Sequence, residues 1–369
     1  MKITYLLPVA SHVRYHKRVS ALQALGCEAK ILAFERDYYP GKPWPDGYLS
    51  LGKIQNENYC RRPAPFAKAL PIVLKEAEES DVIYAFGLDT LFLAWLASRF
   101  SSKHQKIIYE VGDIRAVLLG KSLLARSLRR LERFLLRHVH ILVVTSEAFI
   151  SGYFHGIQGL MTLRYQVIEN KLDESAFPTS PSPIDYNKED GGLRIGYFGL
   201  IRCCRSWQIL KRVVNAGSGQ AQLYLRGISM GEQDLDEEAR IDPQIDYGGP
   251  YVVPDDLPSM YGQVDMVWAC YPYQGDGLGN WRWARTNRFY EACRFQRPMF
   301  AQKGTEDGRL AETLGLGVSL DLGDVEGTVD RILQIKHTDI DRWRQNMAAL
   351  PKEVYTLSNE HKKLIRAIQ

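Results

Sequence analysis

Apolar residues along this chain fall in short runs separated by stretches of helical period, and that alternation sets the fold class. Ile3 to Leu7 reads as a buried strand, Tyr15 to Leu25 as a helix ended by Gly26, and Ala29 to Phe34 as a second strand. The runs Val82 to Phe86, Lys106 to Glu110 and His140 to Thr145 follow, each leading into a helical stretch. Strands alternating with helices predict a parallel α/β sheet that receives ligands at the carboxyl ends of its strands. The first strand–helix loop, Pro8-Val9-Ala10-Ser11-His12-Val13-Arg14, has no GxGxxG, which argues against a tightly bound NAD. Residues 174–192 hold Pro178, Pro181, Pro183 and the polar tract Asn187 to Gly192 with no apolar period, and read as a linker. A second series then begins at Leu193 to Gly199, continues through Ala221 to Leu225, Val264 to Ala269 and Pro298 to Ala301, and closes with Gly317 to Leu320. The expected organisation is a first domain over 1–173, a second over 193–351, and a polar helical tail from about 352 to 369 suited to packing on a surface.

Three segments carry chemistry on this scaffold. In Thr286 to Pro298, Asn287 reads as an N-cap, and Phe289, Ala292, Cys293 and Phe295 recur at helical spacing until Pro298 stops the helix. Arg288 and Glu291 share the face of its first turns, where free N–H groups and the positive dipole end suit a phosphate. The pair reads either as a surface salt bridge or as a clamp, Arg288 on a diphosphate and Glu291 on sugar hydroxyls. Upstream, Tyr271 to Trp283 is a loop with four aromatics that contains Asp276, Asn280 and Arg282. Its rings suit either the C–H face of a donor sugar or packing between domains. In Leu123 to His138, Leu124, Leu128, Leu131 and Leu135 form a stripe while Arg126, Arg129, Arg130, Arg133 and Arg137 ring the other side. That helix either packs on the core with a solvated basic face or docks on an anionic membrane surface.

Length and composition fit this picture: 369 residues, 45% apolar and 24% charged, are ordinary for two globular domains. No run approaches the ~18 apolar residues of a spanning helix, and Met1 to Pro8 is too short for a signal peptide, so a cytoplasmic location is expected. The six cysteines show no CxxC and no paired spacing with His, which points to reduced structural thiols. The net charge of +4 is unevenly spread, since residues 1–180 hold 24 of the 47 Lys+Arg but 17 of the 43 Asp+Glu. A basic front half favours an anionic partner such as a lipid diphosphate or phospholipid head groups, and no nucleic-acid module is visible.

Taken in order, these motifs resemble the GT-B glycosyltransferases, specifically bacterial glycosyltransferase family 4 of the capsule and exopolysaccharide type. The resemblance runs from Arg14 to about Leu333. In the first domain it rests on Arg14 to Leu22 before Gly26, Tyr109-Glu110-Val111-Gly112-Asp113, Arg130-Leu131-Glu132-Arg133, Val143 to Glu147 and Val167-Ile168-Glu169-Asn170. In the second it rests on Ile195 to Gly199 with Arg205, Tyr247-Gly248-Gly249 to Tyr261 with Asp265, and Thr286 to Pro298. It implies two Rossmann-like domains facing across a cleft, with the C-terminal helix packing back on the first.

The implied activity is transfer of a sugar from a nucleotide diphosphate sugar to a polyprenyl-diphosphate-linked or oligosaccharide acceptor. The protein would work at the inner face of the cell membrane, without a metal or other cofactor; family 4 enzymes retain configuration, whereas GT-B families with a single carboxylate invert it, and both outcomes stay open for this chain. Glu291 then matches the glutamate on the ribose hydroxyls, and Arg288 and Arg205, assisted by Arg202, match the basic residues at the diphosphate, with Asn287, Asp276 and Asn280 beside the donor. Asp113 is the candidate catalytic group, or else a helix cap. His12, Arg14 and His16 face the acceptor, or else are ordinary surface residues. The chain departs from the family pattern at Trp283, eight residues before Glu291, where a second carboxylate is usual, and at Gly112, where histidine is usual. Two rival readings follow: a GT-B-like sugar-nucleotide epimerase and a non-catalytic GT-B-like binding subunit.

Overall fold

Strands that take their partners on both edges and are covered on both faces need continuous apolar runs, and the central strands here have them. The computed structural model describes residues 1–36, 44–54, 63–177, 192–217, 219–231, 233–275 and 277–369. It divides into two units, Met1–Glu169 with Asn359–Gln369, and Asn170–Ser358. Most of the expected linker, residues 178–191, lies outside the described residues.

In chain order the first unit comprises β1 (Lys2–Leu7), α1 (Val13–Gln23), β2 (Glu28–Glu35), β3 (Leu49–Lys53), α2 (Pro63–Glu78), β4 (Val82–Phe86) and α3 (Leu88–Phe100). It continues with β5 (Lys106–Val111), α4 (Ala116–Leu119), α5 (Leu123–Leu136), β6 (Ile141–Val144), α6 (Glu147–Phe149) and β7 (Tyr165–Val167). Its strands are parallel in the order β3-β2-β1-β4-β5-β6-β7. The second unit holds β8 (Leu193–Ile201), α7 (Cys204–Ala216), β9 (Ala221–Ser229), α8 (Leu235–Ile241), β10 (Ile245–Tyr247), α9 (Leu257–Gly262) and β11 (Met266–Trp268). After these come α10 (Asn287–Phe295), β12 (Met299–Gln302), α11 (Glu306–Thr313), β13 (Gly317–Leu320), α12 (Val325–Leu333) and α13 (His337–Ala348). Its parallel order is β10-β9-β8-β11-β12-β13. Neighbouring residues of one strand feed opposite cores, Tyr197 and Trp268 on one side of this sheet and Phe198 and Val267 on the other.

The last helix, α14 (Glu360–Ile368), belongs to the first unit. Lys106 donates to the carbonyls of Ile368 and Gln369 at 2.6 and 3.0 Å, and Arg164 to that of Ala367 at 2.6 Å, meeting the exposed carbonyls of the helix C-terminus with cations. At its other end His361 contacts the buried Arg18 at 2.7 Å. Arg18 forks onto Glu110 at 2.8 and 3.2 Å and also donates to the Ile168 carbonyl, while Tyr84 donates to the same carboxylate. Burial pushes the Glu110 carboxyl up, but Arg18 and Arg14 outweigh it and hold the group below its usual range.

Three strands were not read from the sequence, and one expectation is corrected. The strands β3, β7 and β10 carry no apolar run; each lies at a sheet edge and is only partly buried. On α5 the buried face is rotated from the Leu124/Leu128/Leu131/Leu135 stripe: Leu135 is buried with Ala125, Glu132 and Leu136, Leu128 and Leu131 are half-buried, and Leu123 and Leu124 are 76% and 54% exposed. Glu132 turns the helix because Tyr109, Tyr153 and Gln158 all donate to its carboxylate. Burial pushes that carboxyl up despite the three bonds.

Candidate functional site

In each sheet the strand order reverses between two central strands, β1 and β4 in the first unit and β8 and β11 in the second, which opens a crevice at their carboxyl ends. The residues singled out from sequence gather at these two places.

At the second unit's crevice, Thr286 is the N-cap of α10, its hydroxyl accepting from the Phe289 N–H, so Asn287 is the exposed first helical residue rather than the cap. The start of the helix is fixed from below by Asp307, a buried residue at the beginning of α11 whose carboxylate accepts from the Thr286 N–H at 2.8 Å. Burial pushes the Asp307 carboxyl up to about 6 against the Arg285 charge beside it, whose Nε lies 3.6 Å away. Arg285 in turn lies over the Phe289 ring, 3.9 Å from its centroid. One residue into α10, Arg288 spans the crevice: one guanidinium nitrogen donates to the Phe198 carbonyl of β8 at 3.1 Å and another to the Cys270 carbonyl just past β11 at 3.2 Å. Among the described residues these two bonds fix the fork and use two of its five N–H donors.

Glu291 is 5% exposed and accepts from the Tyr261 hydroxyl at 2.7 Å. Arg288 and Glu291 thus turn to different partners, so the surface salt-bridge alternative does not describe them. Arg202 is exposed directly after β8, and Arg205, on the first turn of α7, lies over the Tyr273 ring at 4.9 Å. Asn280 sits half-buried on the turn Gly279–Arg282, and the Tyr271 and Trp281 rings of the same loop stack at 4.5 Å. Asp276 lies outside the described residues. Trp283 is half-buried with the Arg282 guanidinium 5.6 Å from its ring centroid.

In the first unit, His12 is the N-cap of α1, its Nδ1 accepting from the Arg14 N–H at 3.2 Å. Burial, with the charges of Arg14 and His16, pushes its imidazole down to about 3, so the ring is neutral at any ordinary working pH. Arg14 lies 3.7 Å from the Asp113 carboxylate and 3.9 Å from that of Glu110. His16 is taken up in packing, stacked on Trp44 at 3.7 Å. Asp113 follows β5 with its side chain 56% exposed. It is not a helix cap, because Arg115 holds the N-cap position of α4. The structure brings His12, Arg14 and Asp113 together and leaves His16 in the packing beside them.

Sequence reading placed Tyr261 in a motif but missed its pairing with Glu291, and it missed Asp307, which falls in a polar Thr305-Glu306-Asp307-Gly308 tract that looks like an exposed helix start. Among the described residues, no group of three or more His, Cys, Asp or Glu side chains is placed to hold a metal ion, and no helix is long and apolar enough to cross a membrane.

Comparison with known proteins gives a consistent picture. Residues 11–170 match the glycosyl transferase 4-like domain family. The succinoglycan biosynthesis protein ExoL of Rhizobium meliloti (strain 1021) is 31% identical over 337 residues, covering 88% of this chain and 82% of that protein. Among solved structures, Anabaena Alr3699/HepE in complex with UDP matches with a TM-score of 0.69 at 17% identity, over 100% of this chain and 99% of that one. The lipopolysaccharide outer core galactosyltransferase WaaB in its apo form matches with a TM-score of 0.66 at 14% identity and the same coverage.

Proposed function

Since this chain belongs to the GT-B glycosyltransferases of the family 4 type, we propose that it moves a sugar from a nucleotide diphosphate sugar, bound at the β8/β11 crevice, to a lipid-linked or oligosaccharide acceptor. The product would be a bacterial surface polysaccharide, in keeping with the role that ExoL's name gives it in succinoglycan biosynthesis. The carrying observation is Arg288, anchored by the Phe198 and Cys270 carbonyls on the first turn of α10. As the bond from the anomeric carbon to the diphosphate breaks, its electron pair leaves with the diphosphate. A fixed guanidinium and helix N–H groups meet that growing charge without having to reorganise. Arg205 and Arg202 add charge at the mouth, and Glu291, held by Tyr261, accepts ribose hydroxyls. With these cations in place the transfer needs no metal.

On the acceptor side, the acceptor oxygen forms the new bond to the anomeric carbon and its proton goes to Asp113. The donor nucleotide to test first is UDP, which the Anabaena protein was solved with. Helix α5 supports work at an anionic membrane face: Arg126, Arg130, Arg133 and Arg137 are exposed beside Leu123, Leu124 and Phe134.

The test is nucleotide release from UDP-sugars with and without a polyprenyl-diphosphate-linked acceptor. Release that requires acceptor and falls by about 10²- to 10³-fold in Arg288→Ala supports the reading; near-normal turnover in that variant removes α10 from the donor site. An epimer formed without acceptor supports the epimerase instead, and binding without either product supports a binding subunit.

A further inference from the structure

Gly112 directly follows β5, and the space where its side chain would stand is filled by another residue. A methyl built on Gly112 meets the Nη1, Cζ and Nη2 atoms of Arg14 before any other group. Arg14 reaches that space from the first turn of α1, a turn fixed by the His12 cap. With its side chain 12% exposed, the guanidinium is seated beneath the loop rather than lying on the surface. It faces two carboxylates, Glu110 at 3.9 Å and Asp113 at 3.7 Å. Glu110 already has a forked pair with Arg18 and a bond from Tyr84, whereas Asp113 stands half in solvent.

We infer that Gly112 is the socket for the Arg14 guanidinium, and that Arg14 is the positioning residue of Asp113, orienting its carboxylate at the mouth of the first crevice and keeping it ionised. The inference rests on Asp113 being the group that takes the acceptor proton. An exposed carboxylate on a loop otherwise samples several rotamers, while a planar cation confined in a socket has already lost most of its own freedom and can fix its neighbour. An opposite charge this close favours the ionised carboxylate. Tyr15 of α1 also interacts with Asp113, while His12 caps the same helix, Glu110 lies three residues back on β5, and Arg115 follows two residues along the loop. Of these, Arg115 is paired with Asp89 at 2.7 Å and His12 is neutral. Thr145, at the end of β6, holds the loop itself by donating to the Gly112 carbonyl at 3.2 Å.

The decisive variant is Gly112→Ala. Its methyl displaces the flexible end of a side chain rather than backbone, so the fold is kept while the guanidinium leaves its place. The pH dependence of kcat for acceptor-dependent transfer is compared in the parent enzyme, Gly112→Ala, Arg14→Ala, Arg14→Lys and Asp113→Asn, with a ¹³C carboxyl titration of Asp113 assigned from its loss in Asp113→Asn. In Gly112→Ala and Arg14→Ala the acidic limb and the Asp113 titration should both move to higher pH. Turnover on the acidic side should fall about tenfold relative to the optimum, with the donor KM unchanged. Arg14→Lys, which keeps the charge, should restore most of the limb. An Asp113 titration that stays in place in both Gly112→Ala and Arg14→Ala overturns the inference, whatever happens to kcat. If Asp113→Asn retains normal turnover, the assignment of Asp113 falls instead, and the inference falls with it.

Discussion

Asp307 offers a prediction that links the α10 start to pH. Its carboxyl titrates near 6 in the folded chain against a reference of 3.8, because burial outweighs the Arg285 charge and the Thr286 N–H bond. Between those values the folded state holds more protons than the unfolded one. This group's stabilising contribution is therefore complete below about pH 3.8 and lost as pH rises through about 6. Two pH units at about 1.4 kcal/mol each give about 3 kcal/mol across the window, to be applied without discount for solvent screening because the side chain is 1% exposed. Asp307→Asn keeps an oxygen that can accept from the Thr286 N–H and removes the titration. Urea unfolding of parent and variant at several pH values from 4 to 7.5, reading the transition of the second unit, should give curves that diverge by about 3 kcal/mol in their pH dependence. The absolute offset is not the test, since exchanging a carboxyl for an amide changes the hydrogen bonding of the site at every pH. Stability curves that run parallel from pH 4 to 7.5 would show that Asp307 does not titrate there and would refute the reasoning.

Glu291→Ala should raise the donor KM about 10- to 100-fold and abolish detectable nucleotide binding by calorimetry, whereas Tyr261→Phe, which removes only the hydroxyl that orients Glu291, should weaken binding by about tenfold at most. Arg18→Leu leaves Glu110 charged in the core of the first unit. It should cost about 3–5 kcal/mol by denaturation and speed amide exchange in α14, which Arg18 holds through His361. Replacing Arg126, Arg130, Arg133 and Arg137 by Gln should weaken binding to vesicles rich in phosphatidylglycerol by about 10³-fold, at ~1 kcal/mol per arginine. The parent's binding should itself fade as salt is raised; equal binding to neutral vesicles would exclude the electrostatic part.

The central strands, the two-series organisation and the helix after Thr286 were legible in the amino-acid order alone. A strand paired on both edges must be apolar throughout, and Gly26 and Pro298 stop structure locally whatever surrounds them. The candidate residues Arg288 and Glu291 were also visible, on the first turns of that helix, and Arg14 and Asp113 through the family resemblance. What those groups touch was not. Arg288 is held by a carbonyl 90 residues away, Glu291 by a hydroxyl 30 residues away, and the helix start by Asp307. The same holds for α5, where periodicity marked a leucine stripe and three distant donors drew Glu132 inward beside Leu135. Local pattern records which residues prefer to leave water. Whether a polar group can be buried depends on partners that only the folded chain brings within hydrogen-bond reach, so the elements are written in the sequence, and the tertiary structure decided where each charge of the site is anchored.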